Sequence, residues 1–354
     1  MNKKEIVLDL VNKIKNSNVE EFNIMEICGT HTQSISKMGI RNLFYPKINL
    51  ISGPGCPVCV TSEGYIDAAI ELLNKENIIL TTFGDLMKVK GSEENLIDKR
   101  QKGKRIKIIY SPLDALKIAK ENESFEVVFL AVGFETTAPL IGLAVKRAKE
   151  SNINNFSILS GLKIMKPVMK TILNDKECGV NGIICPGHVA VITGADYFKF
   201  IKEQYDISAV VTGFESLDIL SAIYFLISQK QSKFENLYRT CVTSSGNLFA
   251  KEIIESCFLK DDCTWRGIGK INKSGLYLNK GYEEFDALKK FELSIKENRE
   301  NSCVCGEIIL GKKCPSDCSF FGKKCTPSHP IGPCMVSSEG SCSIYFRYRG
   351  ENYE

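Results

Sequence analysis

The chain opens with MNKKEIVLDLVNKIKN, where Val7, Leu10, Val11 and Ile14 share one face at helical spacing. That spacing predicts an amphipathic helix. Through the first two-thirds of the sequence, short apolar runs then alternate with helical patterns. Strands are predicted at Ile48–Ile51, Ile78–Thr82, Ile106–Tyr110, Val127–Val132, Phe156–Leu159, Gly182–Ile184 and Ser208–Thr212, and in the FNIMEI run ahead of residue 28. Between them lie helical stretches such as Tyr65–Asn74, Leu113–Lys120, Leu140–Lys149 and Leu217–Gln229. Nearly continuous apolar strands separated by helices imply parallel sheets buried on both faces, an α/β fold.

Two segments echo each other. VVFLAVGFETT (127–137) and SAVVTGFESLD (208–218) both run an apolar strand into Gly-Phe-Glu and then a helix. This spacing fits two α/β domains of similar plan, although a tripeptide match between common strand-to-helix turns also arises by coincidence. After residue 245 the alternation gives way to charges, glycines and short apolar pieces. Residues 301–342 are dense in Cys, Gly, Pro and Ser, and such a segment needs a staple, for which a metal cluster is the economical choice. The expected division is therefore an α/β domain over 1–150, a second over 151–245 and a cluster-bearing domain over 246–354.

Composition narrows the classes. Among 354 residues, 44% are hydrophobic and 25% charged, which is globular and argues against disorder. A net charge of +4 gives no electrostatic footprint for nucleic acid or an anionic membrane. No apolar run approaches the ~18 residues of a membrane span. Asp9 and Lys13 interrupt what a signal peptide would keep apolar, so a soluble cytoplasmic protein is expected.

The 15 cysteines change the picture most, because clustered thiols in a reducing compartment serve as metal ligands or redox groups. With only 3 histidines, a metal centre must rest on sulfur, which favours iron, iron–sulfur or zinc. The loops Cys28-Gly29-Thr30-His31-Thr32, Gly53-Pro54-Gly55-Cys56-Pro57-Val58-Cys59 and Cys185-Pro186-Gly187-His188 each follow a predicted strand. Ligands of open parallel sheets bind beyond the carboxyl ends of strands, so Cys28, His31, Cys56, Cys59 and His188 can converge there. Cys56 and Cys59 form a C-x-x-C ahead of a helix beginning near Ser62, where a helix N-terminus favours the thiolate. No second C-x-x-C exists, which favours redox or iron chemistry over structural zinc. A buried core cysteine at Cys28 and a loop histidine without function at His188 are the plain alternatives.

The C-terminal thiols match neither C-x3-C-x2-C nor the ferredoxin run, and the chain has no G-x-x-x-x-G-K-S/T loop for nucleotide hydrolysis. What remains is a 4Fe–4S site of irregular spacing beside further thiols.

Taken in order, CGTHT (28–32), GPGCPVC (53–59), TFGD (82–85), GFETTAP (133–139), CPGHV (185–189), GFE (213–215), DCSFFGKKCTP (317–327) and CMVSSEGSC (334–342) make the chain resemble the HypD family of NiFe-hydrogenase maturation factors. The departures at Gln33, Lys166 and Ser216 touch no cysteine. The resemblance implies two α/β domains, a cluster-bearing C-terminal part and a complex with the small chaperone HypC. It also implies cyanide delivery from HypE, and service to a hydrogenase large subunit through HypC. The cargo would be iron carrying cyanide and carbonyl ligands, which needs soft anionic donors such as Cys28 and a HypC thiol. Cyanide transfer from a thiocarboxamide-derived group consumes electrons, which gives a 4Fe–4S cluster passing them to Cys56 and Cys59 a purpose.

On that basis Cys28 is expected to anchor iron, with His31 assisting by hydrogen bonding or proton transfer, and Cys56 and Cys59 to bind metal and cycle between dithiol and disulfide. Cys303, Cys318, Cys325 and Cys342 are expected to ligate the cluster. Cys305 with Cys334 forms a redox pair, an extended backbone through Cys303-Val304-Cys305 turning the two thiols to opposite sides. Glu339, near Cys342, is a candidate for proton or partner chemistry, and Cys314 is left without a role. The expected function is a scaffold that also performs redox chemistry. Its rivals are a thiol–disulfide oxidoreductase similar in plan to ferredoxin–thioredoxin reductase, and an iron-binding module without turnover.

Overall fold

The computed structural model describes residues 2–296 and 303–348. Its strands are β1 (Phe22–Glu26), β2 (Ile48–Ser52), β3 (Ile78–Thr82), β4 (Ile106–Ile108), β5 (Glu126–Gly133), β6 (Phe156–Leu162), β7 (Gly182–Cys185), β8 (Ser208–Val211), β9 (Phe234–Asn236), β10 (Phe258–Trp265) and β11 (Gly269–Leu278). One sheet has the order β2-β1-β7-β8-β9 and a second the order β4-β3-β5-β6. Every pairing within these two sheets is parallel, while β10 and β11 form an antiparallel hairpin.

The strands form where the apolar runs predict because each must cover two faces. In β5, Val127, Phe129 and Ala131 join the cluster under the helices Pro112–Glu121 and Ala138–Glu150. The alternate residues Val128, Leu130 and Val132 join the cluster under the helix Glu63–Leu72. The first sheet repeats the arrangement. Ile24, Ile184 and Val210 face one cluster, whereas Met25, Ile183, Ala209 and Val211 face another. Burying one such Val, Leu, Ile or Phe side chain contributes about 1.5–3 kcal/mol, so a strand apolar on both faces is a strong anchor. β4 stops at Ile108, short of the predicted Tyr110, whose side chain is solvent-exposed.

The α/β class with parallel sheets is as expected, but its division along the chain is not. β1 pairs with β7 through Ile24↔Gly182, Met25↔Ile183 and Glu26↔Ile184, so the first sheet draws strands from both expected α/β segments. The second sheet is an insertion between β2 and β7. Apolar periodicity reports a strand and not its partner, which is why 1–150 and 151–245 do not delimit the sheets. The segment 246–354 also splits. Its hairpin bridges to the second sheet at Lys163↔Gly275, whereas Cys305, Cys325, Cys334 and Cys342 share an apolar cluster with the first sheet. The hairpin escaped sequence reading because β10, FLKDDCTW, is largely polar and solvent-facing.

A buried ion pair pins the hairpin end. Ser62 caps the helix Glu63–Leu72, and Glu63 in its first turn accepts from Arg266 Nη2 at 2.7 Å. Arg266 Nη1 donates to the Lys90 carbonyl at 3.0 Å, and the Arg266 amide to the Val60 carbonyl at 2.9 Å. Removing one partner of a buried pair strands the other charge in low dielectric. Arg266→Ala is therefore expected to lower unfolding stability by about 3–5 kcal/mol, read from the urea midpoint at constant slope.

Candidate functional site

Cys28 lies just beyond β1, as the residue preceding the helix Gly29–Lys37. The Ile27 amide still donates to the Ile184 carbonyl at 3.1 Å, and Gly53 donates to the Glu26 carbonyl at 2.8 Å. Neighbouring strands therefore hold the backbone on both sides up to the thiol. Beyond β2, the loop carrying Cys56 and Cys59 lies directly on the Cys28 backbone. A Cβ on Gly55 would stand 2.3 Å from the Gly29 nitrogen, so only glycine permits this contact.

Glu339 comes from the far end of the chain to the same place. A Cβ on Gly29 would meet the Glu339 Cβ and carbonyl at 2.7 Å. Burial pushes the Cys28 thiol up, and the Glu339 charge adds to this against backbone hydrogen bonds from His31 and Thr30. Glu339 is itself pushed up, first by burial and then by the charge of Asp85. Sequence reasoning tied Glu339 to Cys342; the structure also brings it against the Cys28 loop.

His31 is buried, and its Nε2 donates to the Gly213 carbonyl at 2.9 Å. Burial pulls its pKa down to about 4, opposed in part by carbonyl hydrogen bonds, so the ring is neutral at pH 7. Its Nδ1 has no hydrogen-bond partner among the described residues. Phe214 lies between the histidines, its ring 4.5 Å from His31 and 4.3 Å from His188. Cys185 ends β7 and is fully buried, with its thiol pushed far up by desolvation, as suits a packing residue.

Five further thiols form a connected line from Cys56 to Cys303. The Cys59 amide donates to Cys56 Sγ at 3.3 Å, and the Cys59 thiol is in hydrogen-bonding reach of both Cys334 and Cys56. Cys334 reaches Cys305, and Cys305 reaches Cys303. A tight cavity is lined by Cys303, Cys305, Cys318, Cys325, Cys334 and Cys342, with carbon from residues such as Ile308, Phe320 and Met335. The Ile331 amide donates to Cys325 Sγ at 3.3 Å. Cys314 is exposed. A larger cavity of about 600 Å³, lined by Lys166, Lys170 and Lys260, is separate from these thiols.

The cavity suits a soft iron–sulfur group in its donors: six sulfurs in a carbon-lined wall. Among the described residues, no three His, Cys, Asp or Glu side chains stand at metal-holding distances. None of the cysteines is in a disulfide. The expected orientation of Cys303 and Cys305 needs correction. Val304 has φ −81° and ψ 21° and Cys305 begins a helical turn, so the backbone is not extended. An extended backbone would in any case turn residues two apart to the same face. The two thiols touch and line one cavity.

Arg266 was not singled out from sequence. Its charge draws down the thiols of both Cys303 and Cys305, though both stay above the usual range: Cys303 through its hydrogen bond to Cys305 and burial, and Cys305 through its hydrogen bond to Cys334 and burial, against the opposing bond from Cys303. Beside it Gly267 packs on Gly306, where a Cβ would stand 2.1 Å from the Gly267 carbonyl oxygen. The available signal was the unusual Trp265-Arg266-Gly267 turn.

The fold and its thiols define an α/β protein organised around a cluster of cysteines. A family model described as "HypD: Hydrogenase formation hypA family" matches residues 5–349. A putative hydrogenase expression/formation protein of Methanocaldococcus jannaschii is 40% identical over 346 residues, 97% of this chain and 96% of that protein. Hydrogenase maturation factor HypD of Escherichia coli is 38% identical, covering 94% of this chain and 91% of its own. HypD of Azotobacter vinelandii is 38% identical, covering 93% and 89%. The chain belongs to the HypD family of hydrogenase maturation factors. No helix among the described residues is long and apolar enough to cross a membrane.

The Gly55 contact gives a direct test. Gly55→Ala must part the two loops, and is expected to cost about 1–3 kcal/mol of stability and to increase alkylation of Cys28. Thermal unfolding and mass spectrometry of iodoacetamide-labelled peptides read the two effects.

Proposed function

We propose that this chain is the iron-binding scaffold and redox component that assembles an iron–cyanide–carbonyl moiety, working in the cytoplasm with HypC and HypE and reaching the hydrogenase large subunit through HypC. The observation that carries this reading is the line of thiols Cys56, Cys59, Cys334, Cys305 and Cys303. It begins one loop contact from Cys28 and ends in a sulfur-lined cavity.

Iron is the cargo. Cys28 binds it as a thiolate with a thiol from HypC as the second soft donor, and Glu339 beside Gly29 takes up the Cys28 proton. His31, neutral and tied to the Gly213 carbonyl, positions the start of the helix that follows Cys28. Cys56 and Cys59 act as an exchanging pair that also touches the metal. Cys303, Cys318, Cys325 and Cys342 would hold a 4Fe–4S cluster, which supplies single-electron steps when bound. Cys305 and Cys334 pass reducing equivalents to Cys59 by thiol–disulfide exchange.

Infrared spectroscopy of anaerobically purified protein, with and without HypC, tests the assignment. Iron-bound cyanide and carbonyl stretches are expected in the complex. Cys28→Ser is expected to retain cluster iron and lose those bands, and bands at wild-type intensity in that variant exclude Cys28 as the anchor. A redox-active cluster in a complex without the bands would favour the disulfide reductase, which the same line of thiols would serve.

The cluster assignment makes a separate prediction. Cys→Ala at 303, 318, 325 or 342 is expected to lose cluster iron by Mössbauer spectroscopy and iron analysis, whereas Cys305→Ala, Cys334→Ala and Cys314→Ala keep it. Cluster loss at Cys305 with retention at Cys303 would exchange those two roles.

A further inference from the structure

Outside the thiol line, a lysine and a cysteine meet where the hairpin joins the second sheet. Lys163 directly follows β6, donates its amide to the Gly133 carbonyl at 2.9 Å, and bridges to Gly275 of β11. Its side chain is trapped between the sheet and the hairpin, with 3% exposure. Nζ stands 2.9 Å from the Thr264 carbonyl oxygen and 3.0 Å from Cys263 Sγ. The Trp265 ring centroid lies 5.5 Å away. The amine is thus held against a carbonyl and a sulfur, with no carboxylate in either contact.

Cys263 is only partly buried, which leaves a small oxidant a route toward it from solvent. It sits at a register shift between Asp261 and Cys263 in β10, the kind of irregularity that re-aims a side chain. The Tyr277 hydroxyl is also within hydrogen-bonding reach of the sulfur, and burial keeps that phenol protonated.

We propose that Lys163 and Cys263 form an oxygen-dependent covalent cross-link in which one oxygen atom joins Nζ to Sγ. One N–H and the S–H bond break while N–O and O–S bonds form. Dioxygen is the oxidant: nitrogen and sulfur each lose two electrons, one oxygen atom becomes the bridge and the other leaves as water with the two released hydrogens. The amine stands 3.0 Å from the sulfur, a gap that one bridging oxygen atom spans, so the bridge competes with further oxygen addition at sulfur. The bridge fastens the hairpin to β6 close to Trp265 and Arg266, which seat the Cys305 segment.

The test uses the full chain purified without oxygen and divided, half being exposed to air before proteolysis and tandem mass spectrometry. The expected product in air is one linked pair of peptides containing Lys163 and Cys263, heavier than their sum by about 14 Da, one oxygen gained and two hydrogens lost. Dithiothreitol should release it. After the same air exposure the wild type should also unfold at a higher temperature than Cys263→Ser, a gap absent between the two samples kept from oxygen. Separate peptides after air exposure, with Cys263 unmodified or carrying two oxygens as a sulfinic acid, overturn the proposal, as does the same cross-link in the sample kept from oxygen.

Discussion

The parallel pairing of β1 with β7 is the constraint on which the rest depends. It closes the first sheet across the inserted second sheet, with Ile24↔Gly182 beginning the register. Closing so long an insertion is affordable because loop entropy grows only logarithmically with length. Apolar burial on both faces of the strands offsets it. The same register fixes which loops meet. Because β1, β2, β7 and β8 all run one way, the chain leaves them at Cys28, Gly53, Pro186 and Thr212 on one edge of the sheet. Hydrogen bonds on both flanks of Glu26–Ile27 then fix the Cys28 backbone before any side chain contributes.

What could be read from sequence was whatever a local rule determines. Strands such as VVFLAV announce themselves because burial on both faces demands uninterrupted apolar residues. The loops after them were legible because Gly and Pro accompany the cysteines. The assignment of β7 to the first sheet was not legible, since Gly182–Cys185 carries no mark of its partner. Nor was the hairpin, whose β10 packs through a few residues while Leu259, Lys260 and Asp261 are exposed. The relation between Cys303 and Cys305 was lost for another reason: a helical turn begins between them, and spacing alone cannot choose between turn and strand. Glu339 meets Gly29 only through the tertiary fold, so its sequence proximity to Cys342 said nothing of Cys28.

The cysteines separate by surroundings rather than by number. Cys185 and Cys257 are enclosed by packing and carry no thiol neighbour in the line. Burial likewise pushes Cys28, Cys59 and Cys342 up, so their own environment disfavours the thiolate that exchange or ligation needs. A nearby positive charge works against that penalty, since the attraction strengthens in the same low dielectric that penalises an unpaired thiolate. Arg266 exerts such a pull on Cys303 and Cys305. It is held there by Glu63 and the Lys90 carbonyl, so one guanidinium joins the second sheet, the hairpin and the cysteine-rich segment.

The two Gly-Phe-Glu echoes show how one local plan serves two ends. Each follows the last residues of a parallel strand and precedes a helix, Ala138–Glu150 in one sheet and Ser216–Ile227 in the other. The first turns inward. Phe134 stacks on Trp265 with centroids 5.9 Å apart, and Glu135 accepts from the Met165 amide and the Tyr197 hydroxyl, each at 2.9 Å. The second faces the Cys28 edge, where the Gly213 carbonyl holds His31 and Phe214 separates the two histidines, while Glu215 pairs with Lys3 at the surface. The tripeptide therefore encodes the turn, and the sheet that carries it decides what the turn does. In the second sheet it anchors the hairpin that seats the cysteine-rich segment; in the first it supports the loop that presents Cys28.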